Sequence, residues 1–293
     1  MSGTTSFGQG RGDAVDAVLE EEATRGDRLA ARIRVLGPPL IVLGLFLVGW
    51  WYVSTNLLDP KRAFLLPPPL DVLLEGLLAP KPRGEIVAGL IESTKVALTG
   101  LGIAFVIGST MALAMSQAKW IERSLYPYAV ILQTVPILAI VPLLGFWFGF
   151  GFTSRVVVCV IIALFPLVIN TLTGLLSADG GLHDLLTIHD ASRWTRLVKL
   201  QIPAALPDLF VGLRTSAGLS VIGAIVGDFF FGRGKPGLGM LLSRYASRLS
   251  SEELLAAVLV SCLLGVAVFS LFGAIGRQAV GDWAETQSHP GRR

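Results

Sequence analysis

Long apolar runs constrain the fold of this chain more than any other feature of its sequence. Six segments of about 20 residues carry almost no charge, and a helix needs about that length to cross the core of a bilayer. Hydrophobic residues make up 53% of the chain and charged residues 15%, too apolar a balance for an ordinary soluble domain. The predicted spans are 35–55, 91–116, 125–148, 156–176, 207–231 and 254–276. We therefore predict an all-α polytopic membrane protein with about six transmembrane helices.

Several other protein classes lack support in the sequence. The net charge is only +3, and the basic residues cluster at the ends of the apolar runs, so we expect no nucleic-acid partner. Cys159 and Cys262 lie inside apolar runs, where cysteine acts as a small apolar residue. The sequence contains no metal-ligand spacing and no Walker A motif, so we expect this chain to bind neither a metal nor ATP.

The positions of lysine and arginine predict an orientation. They flank the first span on its N-terminal side and occupy the loops after the second and fourth spans, which all lie on one side. The opposite loops also carry basic residues, so the bias is modest. We predict that both termini are cytoplasmic, with a cytoplasmic segment at 1–34, a transmembrane domain at 35–279 and a cytoplasmic tail at 280–293.

The loop at 178–202, between the fourth and fifth spans, is the most informative segment. Leu182, Leu185 and Leu186 have helical spacing, and Trp194, Leu197 and Val198 repeat the pattern after a break at 190–192. Ser192 is a suitable N-cap for the second piece. The sequence predicts a pair of short amphipathic helices. Their apolar stripes either pack on the protein's own spans or on lipid headgroups, or they dock a cytoplasmic partner.

Polar residues within the spans are candidates for a translocation path. Asp228 and Arg214 lie 14 positions apart on the fifth span, which separates them by about 21 Å, so they do not pair with each other. Asp228 either lines the path or its outer gate, or makes an interhelical or interfacial contact. Asn170 and Gln133 are further candidates for the path, with interhelical hydrogen bonds as the alternative.

Prolines predict bends and boundaries. Pro136, Pro142 and Pro166 interrupt the third and fourth spans, and each is expected to bend its helix. Val72–Leu78 is predicted to form a short outer helix, capped by Asp71 or by the prolines before it and bracketed by further prolines after it.

Several motifs resemble the permease subunits of type I ABC importers. Ile202-Pro-Ala-Ala-Leu-Pro207 and Val211-Gly-Leu-Arg214 resemble the end of that family's cytoplasmic loop motif, and Gly237-Leu-Gly239 resembles its motif after the fifth span. Further similar segments lie at 65–73, 125–127, 136–143, 147–151 and 165–171. The resemblance covers about 65–283. It is greatest to the branch that imports sulfonates, taurine, nitrate or thiamine precursors and related vitamins. Within that branch, the chain looks more similar to the importers of pyrimidine precursors and riboflavin than to those of sulfonates.

The loop motif departs from the family pattern. The family has Glu-Ala-Ala followed by glycine, whereas this chain has Asp184, Leu185, Leu186 and then Asp190. The departure implies either that the docking groove of the ATPase differs, or that this subunit docks to it more weakly and pairs with a second, different permease. An acidic residue also occupies the position of Asp228 in the family, typically as glutamate.

The resemblance implies a non-catalytic importer subunit in a bacterial cytoplasmic membrane. Its expected partners are a second permease chain (identical or related), two ATP-binding subunits that hold ATP and Mg²⁺, an extracytoplasmic solute-binding protein and membrane lipid. The alternative is an ATP-independent secondary transporter or channel, which would need ionisable groups at the midplane that the spans mostly lack. The residues expected to couple to the ATPase are Leu182, Asp184, Leu185, Leu186, His189, Asp190, Arg193 and Trp194.

Overall fold

The computed structural model describes residues 37–59, 63–231 and 234–281, and within these ranges every regular element is a helix. Five helices are long and apolar enough to cross a membrane, and a bent pair of helices adds a sixth crossing if it acts as one span. The five are α1 (Gly37–Leu57), α3 (Pro80–Gln117), α6 (Phe152–Leu176), α8 (Arg193–Phe230) and α10 (Ser251–Val280). The predicted all-α polytopic membrane fold is confirmed.

The bent pair is α4 (Lys119–Thr134) and α5 (Ile137–Phe148). The shorter helices between the spans include α2 (Val72–Leu78), α7 (Gly180–Ile188) and α9 (Leu238–Arg248). The chain divides into two compact units, with the boundary between Pro69 and Leu70. The predicted N-terminal segment 1–34 lies outside the described residues, as does most of the predicted tail.

In the first unit, the chain after α1 folds back against the last turns of that helix. The indole Nε1 of Trp50 donates a hydrogen bond to the carbonyl of Pro67 at 3.1 Å, and Ser54 Oγ donates to the carbonyl of Leu66 at 2.6 Å. The prolines that follow Leu66 have no backbone N–H to donate to these carbonyls, so the side chains of Trp50 and Ser54 supply the donors.

In the second unit, α6 packs closely against α3 and α8 through small residues. A Cβ atom built on Gly223 of α8 would lie 2.8 Å from the Cα atom of Cys159 on α6, and one on Gly108 of α3 would lie 3.0 Å from Leu167 Cβ. Cys159 is fully buried at this crossing, as expected for a small apolar residue, whereas Cys262 is exposed on α10. Small residues let membrane helices approach closely enough for backbone packing.

The third predicted span is broken rather than gently bent. It consists of α4 and α5, which meet at 100° at Val135 and Pro136. Pro136 lacks a backbone N–H and forces Val135 into an extended conformation, which ends α4. Pro142 and Pro166 lie inside α5 and α6, and both helices continue through them.

The helix α2 forms where it was predicted, as a π-helical segment that continues a helical turn at Pro69–Asp71. Of the two predicted starts, Asp71 makes no capping hydrogen bond, whereas Pro69 occupies the first helical position. The predicted start of the second span is wrong, because α3 begins at Pro80 instead of near Ile91. Proline is tolerated in the first turn of a helix, where its missing N–H has no intrahelical partner.

The predicted second short helix of the 178–202 loop is not a separate element. It is the first part of α8, which runs without a break through Pro203. A π-helical turn at Leu197–Gln201 joins the two parts, and the N–H of Ile202 bonds the carbonyl of Leu197, five residues earlier. This shifted pattern accommodates a proline that cannot donate a backbone bond. Arg214 therefore lies in the middle part of α8, because α8 starts at Arg193 and ends at Phe230.

Candidate functional site

Side-chain caps define the helix α7 and the start of α8. The carboxylate of Asp179 accepts hydrogen bonds from the N–H groups of Gly181 at 2.6 Å and Leu182 at 3.3 Å. After α7 ends, Asp190 adopts a left-handed conformation with φ of 48°. Ser192 Oγ then accepts a bond from the N–H of Thr195 at 3.1 Å, which confirms the predicted N-cap.

The apolar residues of this segment stay largely uncovered. We define the α7 surface as Leu182, Leu185, Ile188 and Trp194, whose exposed fractions are 48%, 49%, 78% and 71%. No residue of α7 is buried, so the stripe does not pack into the core of its own unit. Leu197 is the exception, since it is buried against the core residues near Leu175 and Ala205 and anchors the start of α8.

The structure places the other predicted coupling residues around the α7 surface. Asp184, His189, Asp190 and Arg193 are exposed, and Leu186 is half-buried. Sequence analysis missed Ile188, although its spacing of three from Leu185 was a sufficient signal. An exposed apolar patch bordered by charges is typical of a protein interface.

At the opposite end of α8, Asp228 belongs to a buried polar cluster. Its Oδ1 lies 2.8 Å from the guanidinium Nη1 of Arg155, and both side chains are almost completely inaccessible. Ser93 Oγ donates a hydrogen bond to Asp228 Oδ2 at 2.5 Å and accepts one from the N–H of Leu238 at 2.8 Å. We define the Asp228 cluster as Ser93, Arg155, Asp228 and the backbone around Leu238.

The Asp228 cluster holds a connecting segment against three helices. Arg155 also donates to the carbonyls of Lys235 at 3.0 Å and Phe231 at 3.3 Å, so it fixes both sides of the link between α8 and α9. Of the alternatives considered for Asp228, the interhelical contact is present in this chain. Sequence analysis missed Arg155 and Ser93. The available signal for Arg155 was its position directly before the apolar run of the predicted fourth span.

Glycines allow this close packing. A Cβ atom on Gly237 would overlap the carboxylate of Asp228, and one on Gly239 would overlap the carbonyl of Ile225. The segment that resembles the family motif after the fifth span therefore has no room for side chains at these two positions.

The helix α9 was not predicted, although Leu238, Leu241 and Tyr245 bury one side of it. Tyr245 OH donates a hydrogen bond to Glu85 Oε2 at 3.0 Å, and Arg244 Nη1 lies 3.5 Å from the same oxygen. Burial, reinforced by the bond to Glu85, raises the pKa of Tyr245 well above its usual value. These contacts fix α9 to the start of α3.

The other two predicted path residues lie apart from Asp228. Asn170 Nδ2 donates to the carbonyl of Pro166 in its own helix at 2.8 Å, and its Cβ atom packs against Gly212 of α8. Asn170 and Arg155 are 15 positions apart on α6, or about 22 Å along its axis. Gln133 is exposed near the end of α4. Within the described ranges, no three His, Cys, Asp or Glu side chains form a group that could hold a metal ion.

Comparisons with known proteins agree with this architecture. Residues 104–281 match the family model described as "Binding-protein-dependent transport system inner membrane component". The chain is 28% identical to the formylaminopyrimidine transport permease protein ThiX of Halalkalibacterium halodurans, over 81% of this chain and 92% of the relative. It is 32% identical to the riboflavin transport system permease protein RibX of Chloroflexus aurantiacus, over 84% and 89%.

A more distant relative has a different named solute. The taurine transport system permease protein TauC of Escherichia coli is 27% identical, over 76% of this chain and 81% of the relative. These relatives are all transport permeases, and none favours the ATP-independent transporter or channel. The chain therefore belongs to the family of binding-protein-dependent transport system inner membrane components, the non-catalytic permease subunits of type I ABC importers that form a path for small solutes.

Proposed function

We propose that the α7 surface docks an ATP-binding subunit and that this contact drives import. The observation that carries the proposal is that three large apolar side chains of α7 and the adjacent Trp194 stay exposed while α7 buries nothing in its own unit. Covering an apolar side chain contributes about 1.5–3 kcal/mol. Asp184, Asp190 and Arg193 border the patch and can pair with charged groups of the partner.

The continuity of α8 supports a mechanical coupling. Trp194 and Asp228 lie 34 positions apart on one helix, which corresponds to about 51 Å. A displacement at the docked end therefore reaches the Asp228 cluster through a continuous helix. ATP and Mg²⁺ bind to two partner ATP-binding subunits, and closure of those subunits favours one of two states of the path.

The remaining assignments follow from this arrangement. Two permease chains, identical or related, enclose the path in a bacterial cytoplasmic membrane, with both termini cytoplasmic. An extracytoplasmic solute-binding protein delivers the solute at the end that carries the Asp228 cluster. Asn170 and Gln133 line the path, and Asp228 shapes its outer gate through its bond with Arg155.

The solute is a small polar molecule. Two of the relatives are a formylaminopyrimidine transport permease and a riboflavin transport permease, which favours a pyrimidine precursor or related vitamin over a sulfonate. Selectivity resides mainly in the solute-binding protein, so isolating that protein and identifying its ligand tests this assignment.

Substituting the α7 surface should uncouple the transporter. Ile188→Asp places a charge where an apolar contact forms, and we expect co-purification of the ATP-binding subunit to fall about tenfold to a hundredfold. The subunit is recovered with the wild-type chain and identified by its Walker A sequence in mass spectrometry. Solute-stimulated ATP hydrolysis in proteoliposomes should fall in parallel.

Leu249→Asp is the matched control. Leu249 is also exposed and apolar, and its left-handed backbone accepts aspartate, but it follows α9 at the other end of the unit. We expect this variant to retain wild-type association. Undiminished association in Ile188→Asp, or equal loss in both variants, would contradict the docking proposal.

A further inference from the structure

Two adjoining clefts of different chemistry lie along α8 and α10, and we define them together as the groove, with two parts. The first part is a cleft of about 490 Å³ near the end of α10. Its lining includes Arg214 of α8 and Arg277 of α10, and no acidic side chain is among the described residues that line it. The second part, of about 590 Å³, follows further along the same two helices and is lined almost entirely by apolar residues.

The two arginines lie at neighbouring depths at one end of the groove. Arg277 is three residues from the end of α10, or about 5 Å from it. A Cβ atom on Gly273, one turn deeper, would lie 3.1 Å from Arg214 Nε, so Arg214 crosses α10 at that level. Its guanidinium lies 4.0 Å from the ring centroid of Phe269, which fixes its position by a cation–π contact.

The charge of Arg214 requires a polar environment. The side chain is exposed in this chain although α8 is apolar enough to span a membrane. An uncompensated charge on a lipid-facing helix is costly, and long basic side chains reduce that cost by reaching towards the interface. Arg214 and Arg277 lie about one turn apart along α10, near the end of that helix, and together they present two positive charges that a phosphate group can pair with.

The second part of the groove fits a hydrocarbon chain. Gly218 and Gly265 leave its floor open, and a Cβ atom on Gly265 would meet nothing within 4 Å. The lining from Ser261 to Phe269 covers nine residues of α10, or about 12 Å. Phe269 lines this part and also contacts Arg214, so the charged and apolar parts adjoin at one contact.

We propose that this groove binds one anionic phospholipid, with its phosphate at Arg214 and Arg277 and an acyl chain along Gly218 and Gly265. A small free anion would use only the charged part and would leave the apolar part empty. The combination of both parts favours a lipid. The proposal does not depend on docking at the α7 surface, because no residue that lines the groove belongs to that surface.

The test measures lipid retention by the full chain in nanodiscs that contain equal amounts of phosphatidylglycerol and phosphatidylcholine. Native mass spectrometry of the wild type should show selective retention of phosphatidylglycerol. The double variant Arg214→Gln with Arg277→Gln should bind it about thirtyfold more weakly, and Arg277→Gln alone about fivefold more weakly. Arg277→Gln changes one exposed side chain and keeps the test informative if the double variant does not fold. Arg248→Gln removes an exposed arginine outside the groove and should have no effect.

A second arm tests the apolar part without changing charge. Gly265→Leu fills the groove and should reduce phosphatidylglycerol retention, whereas Gly102→Leu, at an equally open position on α3, should not. A phosphatidylglycerol with a diazirine in its acyl chain should label the α10 peptide that contains Cys262, which lines the groove.

Three results would overturn the lipid assignment. They are equal retention of both lipids by the wild type, displacement of phosphatidylglycerol by inorganic phosphate, and absence of label from the Cys262 peptide because another helix covers it. The second result would identify a small-anion site, and the third a protein contact.

Discussion

Asp228→Leu should lower the free energy of unfolding by about 3–5 kcal/mol, because it leaves Arg155 buried without its carboxylate partner. The same change removes the acceptor of the Ser93 bond and loosens the backbone that Arg155 and Ser93 hold. The measurement is reversible unfolding in mixed detergent micelles, followed by the fluorescence of the chain's tryptophans.

A double-mutant cycle separates the pair from its surroundings. Combining Asp228→Leu with Arg155→Met removes both charges, and we expect much of the lost stability to return, because a buried apolar pair avoids the desolvation cost. Lys95→Ala is the control, because it breaks an ion pair with Glu92 in which the Lys95 side chain is 55% exposed. We expect this variant to change the free energy of unfolding by no more than about 1 kcal/mol. A loss in Asp228→Leu as small as that of the control would show that the buried pair contributes little.

Gly223→Ala should destabilise the chain by about 1–3 kcal/mol, because its Cβ atom would lie 2.8 Å from the backbone of Cys159 and force α6 and α8 apart. Alanine favours a helix over glycine by about 1 kcal/mol, so steric strain has to exceed a real gain in helix propensity. The same unfolding assay provides the measurement.

Gly102→Ala provides a control of opposite sign. Gly102 lies in α3, and a Cβ atom there meets nothing within 4 Å, so only the gain in helix propensity remains. We expect this variant to be as stable as the wild type or slightly more stable. Equal behaviour of the two alanine variants would mean that Gly223 does not mark a close crossing.

Local features of the sequence sufficed to predict the spans. The apolar runs correspond to α1, α3, α6, α8 and α10 because a bilayer-length helix is determined by the hydropathy of its own residues. Ser192 was also predictable, since an N-cap depends on residues within one turn. The α7 stripe was evident from its periodicity, although Ile188, its most exposed large residue, was missed.

Features that depend on distant contacts were not predictable. Asp228 and Arg155 are 73 positions apart, and nothing local indicates that α6 and α8 bring them together. The 100° break at Pro136 and the continuity of α8 through Pro203 are opposite outcomes for the same residue type. A π-helical turn accommodates Pro203, whereas α4 ends before Pro136. The spacing of the prolines in the sequence does not tell these two outcomes apart.

The most direct test of the account is a photo-crosslinking residue in place of Ile188 in the assembled transporter. We predict a cross-link to the ATP-binding subunit, and we predict that its yield changes between the nucleotide-free and ATP-bound states because α7 moves with that subunit. Cross-links only to lipid or to the chain's own helices, in both states, would contradict the assignment of the α7 surface as the docking site.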